Sequence, residues 1–358
     1  VSYGSVLKEF FLDNFNVKAV ISTWAEPWFG DAAINTVITV LEKTKPGENS
    51  IVKFVKLKKK LSDLIPYPDL RHHSIKRWQA IDDIVNIIET SEYHHNLIKI
   101  TDTISSVDTE NMRIRLVLQN ELKKEHQENG EFSKWGRFLR APDVYFDIIE
   151  KCKDKLVPLK NIASIRRGYT TGINDFFYLQ LLEAPQKGLV KCKNARGWQG
   201  ELENEYLKPV IKSPKESQAI IIDPLQLKNY IFLCNKSKDE LKKLGHIKTL
   251  KYVEWGEKQR TKDGIKWSEV PSVIGRSNWW TLDEKTPGYF LLQMINNERF
   301  LTFINKNNVQ VDHNLFELQI DLIKNKKFFE AYFNSTLFAL IKELNSRVNL
   351  GDGATKTE

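Results

Sequence analysis

The stretch Leu159–Leu179, LKNIASIRRGYTTGINDFFYL, sets the reading of the whole chain. Two apolar runs, Ile162 with Ile165 and then Phe176, Phe177, Tyr178 and Leu179, flank a segment of arginines, glycines, threonines and an asparagine. That pattern predicts strand, polar turn, strand. Gly168 and Gly172 allow positive φ at the turn. Arg166, Arg167, Thr170 and Thr171, with Asn174 beside them, are side chains of the kind that bond phosphates and base edges. The same residues also suit an ordinary β-hairpin with a polar tip, so the turn alone leaves both readings open.

Working outward, 358 residues with 41% hydrophobic content suit about two globular domains with genuine cores. Lys+Arg 54 against Asp+Glu 46 leaves a net charge of +8 and a pI near 9.1. A polyanionic partner fits that balance, although it exceeds an ordinary solvated surface only mildly. The three cysteines, Cys152, Cys192 and Cys234, have no CxxC spacing, which argues against a disulfide framework or zinc ribbon and fits a reducing cytosol. The pairs His72–His73 and His94–His95 lack a neighbouring ligand set, so no metal site is expected. No apolar run reaches the length of a membrane span, so no membrane partner is expected. The chain starts at Val1 without methionine and stops in polar NLGDGATKTE, which suggests a piece of a longer protein.

Along the chain, an amphipathic helix is expected over Tyr3–Phe15, then strands over Val17–Ser22, Ile34–Leu41 and Ile51–Leu57 around the aromatic loop Trp24–Phe29. From Lys58-Lys59-Lys60 the composition turns charged and proline-bearing, with a helix over Ile75–Ile88 and a strand pair over Leu97–Ile104 and Met112–Leu118. This passage reads as a connector. After Leu179 short strands mix with helices at Lys238–Leu244 and Ile247–Gln259, and a last helix is expected over Lys326–Asn345.

Several of these segments resemble one family. The words RRGYTTGINDFFYL are similar to the opening of the target-recognition domain of adenine-N6 DNA methyltransferases from prokaryotic restriction-modification and phage-defence systems. WFGDAAINTVITVLEK (Trp28–Lys43) resembles the segment after the catalytic motif of those enzymes, WGRFLRAPDVYFDII (Trp135–Ile149) their lead-in to recognition, and GRSNWW (Gly275–Trp280) an element of their specificity region. NSTLFALIKELNSRVNLGDGA (Asn334–Ala354) resembles their closing helix and glycine turn. The resemblance implies a mixed α+β fold: the end of a class I methyltransferase α/β sheet over 1–60, a connector over 61–150, and a target-recognition domain over 151–358.

It also implies roles. Arg166, Arg167, Thr170, Thr171, Asn174 and Arg276 become the DNA-binding candidates, with Arg167 facing DNA and Arg166 bracing the sheet, because neighbours on a strand point to opposite faces. Gly168 would let DNA approach the backbone. Phe29, with Trp28 second, would line the pocket of a flipped base, although a Trp-Phe pair in such a loop is more often core packing than ligand contact.

The donor and amino-group motifs of such enzymes are a glycine turn after the first strand and an Asn/Asp-Pro-Pro-aromatic word. The chain has no Pro-Pro dipeptide, and Gly351-x-Gly353 follows a helix. S-adenosylmethionine is therefore expected in the parent enzyme and not on this piece, which is expected to carry no catalytic residue. Double-stranded DNA is the expected partner, with a nuclease domain or subunit as a further one. Two alternatives stay open: a non-enzymatic specificity subunit that docks separate methylase and nuclease subunits, and a purely structural module.

Overall fold

β-Branched and aromatic residues buried on both sides mark the centre of the first sheet. The computed structural model describes residues 3–29, 36–66, 74–129, 133–296, 299–320, 325–348 and 355–356. The chain divides into two compact units, Val1–Val157 with Leu340–Glu358, and Pro158–Ala339.

In the first unit, helix α1 (Tyr3–Asn14) leads into strands β1 (Asn16–Thr23), β2 (Ile38–Glu42) and β3 (Ile51–Leu57). After the short α2 (Leu61–Leu64) and the long α3 (Ile75–Glu89) come β4 (Leu97–Lys99), β5 (Ile104–Asp108) and β6 (Met112–Leu118). Their order is β2-β1-β3-β6-β5-β4, with β1 and β3 parallel. Val52 and Phe54 of β3 pack on one face with Leu12, Val117 and Phe138, while Val55 and Leu57 pack on the other with Ile88, Met112 and Ile114. Helices α4 (Gln119–Asn129), α5 (Gly136–Arg140) and α6 (Asp143–Cys152) cover the first face, with Phe138 stacked 4.9 Å from Phe54. Arg115 is fully buried and donates to the carbonyls of Phe138 at 2.8 Å and Ala141 at 3.0 Å and to the Asp143 carboxylate, which ties the α5–α6 corner to β6.

The connector expected over 61–150 is therefore not a linker. β3 and β6 pair along their whole length, from Ile51↔Leu118 to Leu57↔Met112, so a boundary at residue 60 would cut one sheet. The lysine run hid this because its charge is used locally. Lys58 pairs with Asp108 and Lys59 with Glu110 across the strand ends. His72, His73 and Pro68 lie outside the described residues, as does most of the Ile34–Leu41 strand's start.

The second unit holds two sheets. Strands β7 (Ala163–Arg167), β8 (Tyr178–Leu181), β9 (Leu189–Asn194), β10 (Gln199–Glu203), β11 (Leu207–Ile211) and β12 (Asn229–Phe232), with the helical turn α7 (Asn174–Phe177) between the first two, precede helices α8 (Lys238–Leu244) and α9 (Ile247–Glu257). Strands β13 (Phe290–Gln293), β14 (Ile295–Asn296), β15 (Thr302–Ile304), β16 (Gln310–Val311) and β17 (Leu315–Ile320) follow. One sheet runs β10-β9-β8-β12-β11-β16 and the other β15-β13-β17-β7.

Two sequence expectations change here. β7 and β8 do not pair, so the quoted stretch is a crossover between sheets and not a hairpin. Phe176 and Phe177 belong to α7 and not to a strand. The last helix is also two, α10 (Lys326–Tyr332) and α11 (Thr336–Asn345), because the Ser335 hydroxyl accepts the Phe338 N–H at 3.2 Å and starts a new N-terminus.

Candidate nucleic-acid interface

Both ends of the crossover Gly168–Phe177 are anchored by buried groups. At its start the Gly168 N–H donates to the Leu315 carbonyl at 3.1 Å and the Tyr169 N–H to Val311 at 2.7 Å. A Cβ on Gly168 would stand 2.3 Å from the Val311 carbonyl oxygen and 2.4 Å from that of Asp312. The close approach that this glycine permits is thus made by the protein's own backbone, not left open for DNA. Tyr169 is buried, donates its hydroxyl to the Asp283 carbonyl at 3.0 Å and accepts the Lys285 N–H at 3.1 Å. Burial pushes its phenol up to about 12.

At the far end Phe176 is wholly buried among Phe177, Phe232, Tyr252, Trp267 and Trp279, stacked 4.7 Å from Tyr252. Truncating such a ring costs about 3–5 kcal/mol, so this end of the crossover is held firmly. Gly172, the other glycine of the turn, does adopt a positive φ, +75°.

In and around the crossover the candidate side chains separate into two kinds. Arg166 pairs with Glu317 at 3.0 Å and donates to the Thr286 carbonyl, while the Glu317 side chain is only 2% exposed. Arg167, one residue on, is exposed, and among the described residues its guanidinium meets the Met294 sulfur, at 3.6 Å. Thr171 is buried and gives its hydroxyl hydrogen to Asn174 Oδ1 at 2.5 Å, whereas Thr170 and Asn174 are exposed. Arg276 is half-buried and donates to the Thr171 carbonyl at 2.8 Å, with its guanidinium 5.4 Å from the Phe177 ring. Burial holds that guanidinium below its ordinary pKa. Its fork is spent on the turn's own carbonyls. Trp279 and Trp280, beside it in sequence, are core residues.

The turn separates two clefts. One, of about 430 Å³, is lined by Thr170 to Asp175 and by Arg196, Arg260, Thr261, Lys262, Trp267 and His313. The other, of about 500 Å³, runs from Gly168–Thr170 to Gly275–Ser277 and Thr281–Asp283, with Lys285. In the first cleft Arg196 and Arg260 donate to the carbonyls of Arg260 and Gly264, at 3.0 and 2.8 Å. Among the described residues, neither arginine nor Lys262 is joined to a carboxylate, and all three are exposed at a cleft whose lining also holds Asp175. Sequence reasoning missed these cations. Their only local signal was basic residues in the loops Ala195–Gly197 and Gln259–Lys262, distant from each other and from the turn.

In the first unit, Trp28 packs against the Leu57–Met112 side of the sheet, and its indole N–H is buried without a partner among the described residues. Phe29 is 58% exposed, and residues 30–35 beyond it lie outside the described ones. The aromatic that gathers cations there is Trp24, which the sequence places in the aromatic loop without assigning it a role. Its ring is 53% exposed, with the Arg113 guanidinium 5.0 Å and the Lys56 ammonium 5.8 Å from its centroid. Burial first, then the nearby Arg140 and Arg113, bring Lys56 down to about 8.

Among the described residues no group of three or more His, Cys, Asp or Glu could hold a metal ion, and no helix is long and apolar enough to cross a membrane. All three cysteines are free.

Residues 133–357, more than half of the chain, match the family model of the type II methyltransferase M.Eco57I, C-terminal domain. No curated protein matches. The chain aligns over its full length with 37% of the crystal structure of the type IIG restriction endonuclease BpuSI, at 12% identity and a TM-score of 0.39. It thus spans little more than a third of that protein, and a likeness this slight says nothing of residue roles. The family match covers both anchors of the crossover and both clefts, and on that match the chain belongs to the M.Eco57I C-terminal-domain family of type II methyltransferases.

Proposed function

We propose that this chain is the DNA-recognition part of an S-adenosylmethionine-dependent adenine-N6 DNA methyltransferase of a restriction-modification or phage-defence system, in the cytosol, with the catalytic motifs supplied by another part of the enzyme. The observation that carries the reading is the anchored crossover, which holds exposed Thr170 and Asn174 in the lining of a cleft whose cations Arg196, Arg260 and Lys262 are joined to no carboxylate among the described residues, with exposed Arg167 just before it. A fixed polar edge flanked by unpaired positive charge is the arrangement that double-stranded DNA requires: phosphate contacts set the register and base-edge contacts read it.

In this reading Arg196, Arg260 and Lys262 hold phosphates, and Thr170, Asn174 and Arg167 face the groove. Arg166, Thr171 and Arg276 position the turn from behind. Phe29 is the candidate to stack on a flipped base, with Trp28 supporting it from the core. This reading places the methyl donor on the rest of the enzyme. Among the described residues of the first unit no strand runs into a glycine turn that opens a helix, and β1 passes instead into Trp24-Ala25-Glu26-Pro27-Trp28. The side chains of this chain therefore bind and orient the duplex and leave methyl transfer to the rest of the enzyme. A nuclease domain or subunit would act on the same bound duplex.

The test is anisotropy titration of a labelled duplex across a salt series. Affinity is expected to fall linearly on a log–log plot with a slope of about −0.9 per phosphate held. Absence of binding to any duplex at low salt would overturn the reading in favour of a protein-binding module.

A further inference from the structure

The face of the first sheet that carries Phe54 ends in a row of polar side chains. Strand pairing sets Ser22 of β1 beside Lys56 of β3, Lys56 opposite Arg113 of β6, and Arg113 opposite Asp108 of β5. Like charges directly opposite on neighbouring strands destabilise a sheet. Lys56 is also only 5% exposed, and among the described residues its ammonium donates to the Ser22 hydroxyl alone, at 3.4 Å.

The carboxylates near the row are used elsewhere. Asp108 pairs with Lys58, and Asp143 with Arg115. Arg113 donates to the Leu139 carbonyl at 2.8 Å, and Arg140, whose charge also bears on Lys56, to the Leu344 carbonyl at 2.7 Å. Among the described residues neither Lys56 nor Arg113 is joined to a carboxylate. A buried charge left in this state costs stability in the free protein, and an anion seated against it would relieve that cost.

Trp24 adds a flat surface to this charge. Its N–H donates to the Leu57 carbonyl at 2.9 Å, which ties the loop to the end of β3, and the Arg113 and Lys56 cations lie 5.0 and 5.8 Å from its ring centroid. The residue is nevertheless 53% exposed. Positive charge against an open indole suits a ligand in which an anionic group is joined to a planar ring. A nucleotide has both, since its phosphate answers the cations and its base stacks on the tryptophan. An acidic peptide would answer the charge and leave the ring bare.

We infer that Lys56, Arg113 and Trp24 form a binding site for a nucleotide unit, with its phosphate on the two cations and its base on the indole. The unit belongs either to a nucleic-acid strand or to a free nucleotide, and the recognising chemistry is the same. The site lies in the first unit and the recognition turn in the second, so the inference does not rest on the DNA reading of that turn.

The experiment titrates the full chain and its Lys56→Met and Trp24→Ala variants with a short single-stranded oligodeoxynucleotide, with thymidine monophosphate and with a duplex, alongside melting curves. Oligonucleotide affinity is expected to fall on the order of tenfold in each variant. Lys56→Met, which keeps an unbranched stem and loses the charge, is expected to melt no lower than the wild type, because removing an unpaired buried charge does not destabilise whereas removing a structural lysine does. Binding of the monophosphate with the same losses extends the site to free nucleotides, and binding of the oligonucleotide alone assigns it to strands. If either folded variant binds the oligonucleotide as the wild type does, if Lys56→Met melts below the wild type, or if the wild type binds neither single-stranded probe nor monophosphate, the site is overturned whatever the duplex shows. Failure of the duplex alone overturns the recognition reading and leaves this site standing.

Discussion

Arg166 and Arg167 are adjacent, equally basic and built into one strand, yet their removal should have opposite consequences. Arg166 serves Glu317, whose side chain is 2% exposed and whose remaining partner is the Gly288 N–H at 2.7 Å. Breaking a fully buried ion pair costs about 3–5 kcal/mol because a charge is left without its counterion. Here the Arg166 end is 40% exposed, so water would replace part of what Arg166→Ala removes. The expected cost is about 2–3 kcal/mol, or a Tm lower by roughly 5–10 °C for a unit of this size.

Arg167→Ala removes an exposed side chain and a weak sulfur contact, and should change stability by less than about 0.5 kcal/mol. In the proposed DNA-recognition reading its effect falls on duplex binding. A lost phosphate contact would lower the salt slope by about one for every duplex, and a lost base contact would cost about 1–3 kcal/mol on the cognate site. Calorimetric melting and duplex titration across salt, run on both variants, separate the two. In addition, Arg166→Ala combined with Glu317→Gln should be more stable than Arg166→Ala alone, since the stranded charge has gone. If Arg166→Ala melts like the wild type, or if folded Arg167→Ala keeps both affinity and salt slope, the division of labour on this strand is wrong.

Other outcomes follow from the same geometry. Gly168→Ala should destabilise by more than about 2 kcal/mol, because its Cβ would meet two carbonyl oxygens at 2.3 and 2.4 Å, whereas Gly197→Ala, with φ +87° and open space around it, should cost about 1 kcal/mol; melting of the two variants decides. Trp28→Ala should lower stability by about 3 kcal/mol and Phe29→Ala by little, while Phe29→Ala introduced into the whole enzyme should slow methylation; equal stability losses would place both rings in the core. Lys342, 6% exposed and without a partner for its ammonium among the described residues, is brought by burial to about 8 from 10.5. The unfolded chain then binds more protons between those values, so this group's contribution to stability rises with pH from about 8 to 10.5. Lys342→Met should be more stable than the wild type at pH 7 by up to about 3 kcal/mol, with the advantage shrinking through that window, and a pH series of melts checks it.

Where apolar periodicity was clean, the elements were legible in the sequence to the residue: β3, β6 and α8 occupy the segments that alternation and helical spacing mark out. Partnership was not. The crossover looks like a hairpin because two apolar runs lie either side of a polar turn, but β7 pairs with Leu315–Ile320 and β8 with Asn229–Phe232, and local pattern carries no information about pairing at such separations. The period of two foretold that Arg166 and Arg167 would part company. It could not tell that Glu317, 151 residues further along the chain, would take the first of them. The cleft's cations were hidden for the same reason, since each sits alone in its own loop.

These contacts also limit how such a turn can change what it reads. Gly168, Thr171 and Arg276 are committed to the backbone of Val311–Asp312, to Asn174 and to the Thr171 carbonyl, so substituting any of them perturbs the support before it alters a contact with DNA. Arg167, Thr170 and Asn174 are exposed, and Thr170 and Asn174 line the first cleft. Exchanges at Arg167 and Thr170 leave the anchors intact, so in the proposed DNA-recognition reading a new sequence preference is reached at least cost in stability through them. A recognition site built on a tightly held crossover thus separates the residues that fix geometry from those that carry the code, and the first set is where a substitution melts the unit and the second where it redirects it.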